Sequence, residues 1–156
     1  MTGFNSKHRG FSLLIALLLS TVAAAITVSL TTLAYKSLLL SLSARDSQYA
    51  FYAADAALEC ALYFDSSNGG HKFVGSSFSA KCGGSTANVP VPVVDGNQAI
   101  YTSDWFAANG TSCARFTLYK GDSTAPGTKI YADGTNVACS DLSNPRAVER
   151  GIKSTY

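Results

Sequence analysis

The sequence predicts an α+β protein in which a long N-terminal helix, membrane-spanning in its first half and amphipathic in its second, packs on a small antiparallel β-sheet. Three observations carry this. Phe11 to Tyr35 is a run of 25 residues without charge, proline or glycine. Helix-compatible sequence then continues without proline or glycine as far as Gly69. Beyond residue 66 the texture changes to Gly, Ser, Thr and Asn between short β-type runs. A chain of 156 residues has length for one globular unit, and a membrane segment shrinks the soluble part further. The expected organisation is a leader over 1–10, a helix over 11–65 with 11–35 in the membrane, and a β-rich domain over 66–156, together a lollipop.

The leader, MTGFNSKHRG, is polar and ends in Lys7, His8 and Arg9, a basic cluster that stays on the cytoplasmic side of a membrane. The apolar run after it is about 38 Å long as a helix, enough for a hydrocarbon core of about 30 Å with some tilt. It holds twelve Phe, Leu, Ile and Val residues against seven Ser and Thr, so insertion is favoured. In the continuation, Ala50, Ala53, Ala54, Ala57, Cys60, Ala61 and Phe64 recur at spacings of three and four. They form one small-residue stripe made to be covered, while Arg45, Asp46, Gln48, Asp55 and Glu59 occupy other faces. The SNGG at 67–70 stops the helix.

In the β-rich part, VPVPVV at 89–94 and QAIYTS at 98–103 flank Asp95, Gly96 and Asn97, a hairpin signal, with Pro90 and Pro92 confining the first run to an edge. CARFTLYK at 113–120 alternates and is expected to pair with TKIYA at 128–132. Asp133 and Gly134 read as a further turn before NVACS, and RAVERGIKSTY supplies a last strand. A sheet of four to six strands with one apolar face needs a cover, and the alanine stripe is the available partner.

Cys60, Cys82, Cys113 and Cys139 lack the close spacing of zinc or redox motifs and favour two disulfides in an oxidising compartment. Of the three possible pairings, which spacing does not decide, the sequential one is preferred: Cys60 with Cys82 and Cys113 with Cys139.

The composition argues against catalysis. His71 is the one histidine beyond the leader, so triads and multi-histidine metal sites have no material, and it reads as a surface loop residue. Asp65, Asp95, Asp122, Asp133 and Asp141 sit beside Gly, Ser or Asn, as turn residues do. No segment has EF-hand spacing, no phosphate loop is present, and neither a cofactor nor a metal is expected. Lys7 and Arg9 account for the formal charge of +2, leaving ten basic residues against ten acidic ones, so there is no nucleic-acid signature. Trp105, beside Phe106, reads as a local core plug or as an exposed contact, with burial the commoner fate of a single Trp.

The junction KHRG followed by FSLLIALLLS resembles the class III signal of type IV pilins and pseudopilins. ARDSQYAFYAADAAL is similar to the alanine-rich, acid-containing helix segment of minor pilins, so the resemblance covers residues 5 to about 62. It implies cleavage by prepilin peptidase between Gly10 and Phe11, N-methylation of Phe11, residence in the inner membrane with the C-terminal domain outside the cytoplasm, and assembly with other pilin or pseudopilin subunits through the helix. Family members usually carry Glu as the fifth residue after the cut, where it pairs with a neighbour's N-terminal amine; here that place is Ile15. Subunits without this Glu resemble those at a filament tip, so the resemblance implies a minor subunit, tip-located or initiating, of a type IV pilus, competence or type II secretion filament. The family's helix-kinking proline is also missing.

Two alternatives stand beside this. Ala23, Ala24 and Ala25 offer an ordinary secretory cleavage site, although hydrophobicity resumes at once with ITVSLTTLAY. A single-pass anchor carrying a surface adhesion or binding module, with Trp105 or the tyrosines as contacts, is the second reading.

Overall fold

In the computed structural model, residues 9–66, 69–70, 72–121 and 127–156 are described, with side chains from residue 11 onward. The leader up to residue 8, His71, Asp122 and the residues around them in the 122–126 segment lie outside this set. Helix α1 runs Arg9–Asp65, followed by strands β1 (Phe78–Cys82), β2 (Ser85–Val89), β3 (Val93–Asp95), β4 (Gln98–Thr102), β5 (Phe106–Ala107), β6 (Cys113–Gly121), β7 (Thr128–Thr135) and β8 (Glu149–Thr155). This is the α+β arrangement the sequence predicts: one long helix followed by an antiparallel sheet.

The chain divides into two compact units, 1–43 and 44–156. In the first, every large apolar side chain from Phe11 to Leu42 is exposed, between 41% and 72%. This segment is long and apolar enough to cross a membrane. Five of the seven Ser and Thr hydroxyls in the 11–35 run bond within the helix, Thr21 among them. Ser20 donates to the Leu17 carbonyl at 2.9 Å, Thr27 to Ala24 at 2.8 Å, Thr31 to Thr27 at 2.6 Å and Thr32 to Ser29 at 2.8 Å. A hydroxyl bonded to its own helix adds little unsatisfied polarity in hydrocarbon, which removes most of the objection that seven Ser and Thr raise.

In the second unit the C-terminal half of α1 lies on the sheet. Ala50, Ala53, Ala54, Ala57 and Ala61 are all at 1% exposure or less, and the bulk facing them comes from Phe116, Leu118 and Ile130 of β6 and β7. Small residues on the helix and large ones on the sheet let the two backbones approach closely while the space between them stays filled. Phe73 closes one end, with ring centroids 5.0 Å from both Phe78 and Tyr101. The helix ends where Lys72 N–H bonds the Phe64 carbonyl at 3.0 Å. A Cβ on Gly69 would stand 2.1 Å from the Tyr63 carbonyl oxygen, so only glycine fits this reversal.

The main sheet has the order β3-β4-β6-β7-β8, with β5 pairing β6 where β4 leaves off; all pairings are antiparallel. The hairpin at Gly96–Asn97 forms as expected, but its first strand shrinks to Val93–Asp95, because the two prolines upstream have no N–H for a ladder. Residue 89 belongs instead to a separate hairpin, β1-β2, turning at Gly83–Gly84. Asp133 and Gly134 are not a turn. They lie inside β7, paired with Arg115 and Ala114 of β6 and with Gly151 and Arg150 of β8. Gly134 is there because α1 leaves no room for a side chain: a Cβ would meet Ala54 N at 2.2 Å and the Ala50 carbonyl oxygen at 2.3 Å. NVACS forms no strand and ends in a 3-10 turn, Cys139–Asp141.

Both disulfides follow the sequential pairing, Cys60–Cys82 with Cα atoms 5.6 Å apart and Cys113–Cys139 at 4.9 Å. The first ties α1 to β1, the second ties β6 to the 3-10 turn. Each closes a loop of 22 or 26 residues and contributes about 3.5 kcal/mol in the chain-entropy picture.

Candidate functional site

Two kinds of surface remain after the core is accounted for. One is the N-terminal half of α1. Gly10 and Phe11 both lie within the helix, and Phe11 is 70% exposed. Ile15, one turn further on, is 41% exposed, so nothing among the described residues covers the place where the resembling family carries its glutamate. The side chains available here are apolar and unpartnered, suited to lipid or to another helix.

The other is the globular unit's exterior, where two carboxylates expected in turns, Asp65 and Asp133, act as ties. Asp65 is the last residue of α1, and its side chain is only 6% exposed. Its Oδ1 accepts from Lys120 Nζ of β6 at 2.5 Å, and its Oδ2 accepts from the Tyr156 hydroxyl at 2.6 Å. The carboxylate therefore joins the helix end to the sheet and to the last residue of the chain. Asp133 accepts from Arg115 Nε at 3.0 Å, and Glu149 lies 3.9 Å from the same guanidinium.

Partial burial, and then the Asp65 carboxylate, hold the Tyr156 phenol well above its ordinary value near 10. The neutral phenol is thus the folded form's preference. The resulting stabilisation is fully present below about pH 10 and is lost as pH rises through the folded-state value. With 56% of Tyr156 exposed the energy is small, but the raised titration is readable. In an alkaline titration followed by tyrosinate absorbance, Tyr156→Phe is expected to remove one tyrosine's worth of absorbance change from the part of the curve above the ordinary phenol value.

Trp105 is not the core plug. The buried aromatic of the pair is Phe106, at 3% exposure, whereas Trp105 is half-buried with the Arg115 guanidinium 4.6 Å above its ring. The cause is the bend between β4 and β5. Ser103 N–H bonds the Phe116 carbonyl while Ser103 Oγ accepts from Phe116 N–H, both at 3.0 Å, and the next residues change which side chain points inward. Sequence reasoning missed the Asp65–Lys120 and Arg115–Trp105 contacts; only the strand alternation placing Arg115 opposite Phe116 hinted at the second.

Among the described residues no group of three His, Cys, Asp or Glu side chains could hold a metal ion. The arrangement among the described residues offers surfaces and ties. Compared with known proteins, the chain matches no protein-family model, no curated protein and no solved structure.

Proposed function

We propose that this chain is a structural, non-enzymatic minor subunit of a type IV pilus, competence or type II secretion filament, tip-located or initiating, cut after Gly10 and held in the inner membrane before assembly. The observation that carries this reading is that α1 bears two unlike surfaces: an apolar half left entirely exposed and an alanine-faced half buried against a sheet. A helix that served only to anchor the chain has no need to continue for about 20 residues into a folded unit. The exposed half fits lipid first and neighbouring helices afterwards, since apolar helices pack in either surrounding. KHRG before FSLLIALLLS supports processing at Gly10–Phe11 by a prepilin peptidase. Ile15 supports a terminal position, because an apolar residue there has no charge to offer a neighbour's amine.

The test is fractionation of filaments sheared from cells with the chain labelled. The expected outcome is a small amount of label in the filament fraction, at filament ends in immunogold images, with Ile15→Glu redistributing label along the shaft. Label confined to the membrane fraction overturns the assembly reading, and Ile15→Glu label still found only at ends removes Ile15 as the cause of placement.

A further inference from the structure

We propose that the uncovered face of the main sheet is a platform for an acidic polysaccharide. The inference needs only the compact unit from Ala44 onward and is independent of the filament reading. Residues on one face of a strand alternate, so the register defines which side chains stand opposite the helix-covered side. Two rows cross the sheet there. One runs Ile100, Tyr119, Lys129, Thr155; the other runs Thr102, Thr117, Tyr131, Lys153. None of the eight is buried, and the tyrosines touch, with centroids 5.5 Å apart and edge to face. Lys153 Nζ lies 5.3 Å from the centre of the Tyr131 ring.

The charges on this face balance in total, with Lys129, Lys153 and Arg115 against Asp95, Asp133 and Glu149, but they are segregated. Asp133 and Glu149 are both engaged by Arg115. Lys129 and Lys153 have no carboxylate partner among the described residues, and Asp95 stands at the far edge, three strands from Lys129. The face therefore presents two ammonium groups beside two phenol rings and three threonine hydroxyls, and asks for an anion that also stacks and hydrogen-bonds. Uronic acid units combine these properties: C–H faces for the rings, hydroxyls for the threonines and phenols, and a carboxylate for each lysine. A sugar unit is also similar in length to the strand spacing of about 4.8 Å, so a chain lying along either row meets a new strand with each unit. A protein partner fits less well. It needs on the order of 800 Å² from this side with an apolar centre, whereas the apolar Ile100 and Val93 stand at the β3 edge and the middle carries rings, hydroxyls and ammonium groups.

The test measures binding of hexagalacturonate to the full-length chain in a neutral detergent at roughly physiological salt. Hexagalactose, hexaglutamate and a thymidine hexanucleotide are run beside it. The expected result is saturable binding of hexagalacturonate alone, weakened about tenfold in Lys129→Gln/Lys153→Gln and severalfold in Tyr131→Thr, with thermal unfolding of both variants unchanged. Absence of saturable binding overturns the proposal, as does undiminished binding by the lysine variant. Equal or tighter binding of hexaglutamate or the nucleotide overturns it in favour of an acidic peptide or single-stranded nucleic acid, and loss with the lysines but not with Tyr131 reduces it to unspecific charge attraction.

Discussion

Gly134→Leu is expected to prevent the globular unit from folding. A Cβ at this position would stand 2.2 Å from Ala54 N, 2.3 Å from the Ala50 carbonyl oxygen and 2.8 Å from the Ala53 carbonyl carbon. All three are helix backbone atoms, which no rotamer change can move aside. The helix must lift off the sheet, and the burial of Ala50, Ala53, Ala54 and Ala57 is lost along the whole contact. Overpacking costs about 1–3 kcal/mol where side chains can yield; here the expected cost is at or above about 3 kcal/mol, a large share of a small domain's stability. Gly151→Ala is the control, since its nearest neighbour is an Asp133 side-chain oxygen at 3.3 Å that can shift. Unfolding of the detergent-solubilised chain by circular dichroism, with protease resistance alongside, reads the difference. Gly134→Leu should be protease-sensitive throughout, and Gly151→Ala should stay within about 1 kcal/mol of the parent chain.

Lys120→Met is expected to destabilise the unit by about 2–3 kcal/mol, lowering the melting temperature by roughly 10 °C. The Asp65 side chain is 6% exposed, so removing the ammonium takes a cation from a desolvated carboxylate, although the Tyr156 hydroxyl still donates to it. The 32% exposure of Lys120 keeps the figure below the full range for a buried pair. Asp65→Asn/Lys120→Met restores much of the loss, because a neutral amide is cheaper to bury than a carboxylate that has lost the Lys120 ammonium. A double-mutant cycle by thermal melting measures the coupling; additivity of the two single changes would mean that the contact contributes nothing.

What the sequence made legible is tied to period and range. The alanine stripe from Ala50 to Ala61 repeats at helical spacing within one continuous element, and it is buried as expected. β6 was readable because CARFTLYK alternates strictly, and the Gly96–Asn97 turn because its signal is local. Asp133–Gly134 carries the same local signal and misleads, since the reason for Gly134 is a helix passing some 80 positions earlier in the chain. The β1-β2 hairpin escaped because FSAKC and STANV are five residues each and half polar, with the inward side chains Phe78, Ala80, Cys82, Ala87 and Val89 mostly small. Asp65, 55 residues from Lys120 and 91 from Tyr156, looked like a turn residue because its partners are distant in sequence. Trp105 followed the general preference of a lone Trp for burial until the β4–β5 bend gave the inward position to Phe106.

The proposed role requires that α1 lose its basic leader, so that the apolar helix begins at its own N-terminal amine and can leave the membrane for a neighbour. Intact-mass and N-terminal peptide analysis of the chain isolated from its native membrane tests this most directly. The expected product begins at Phe11 and carries one added methyl group on its amine. A chain still beginning at Met1, or one beginning at Ile26, contradicts it.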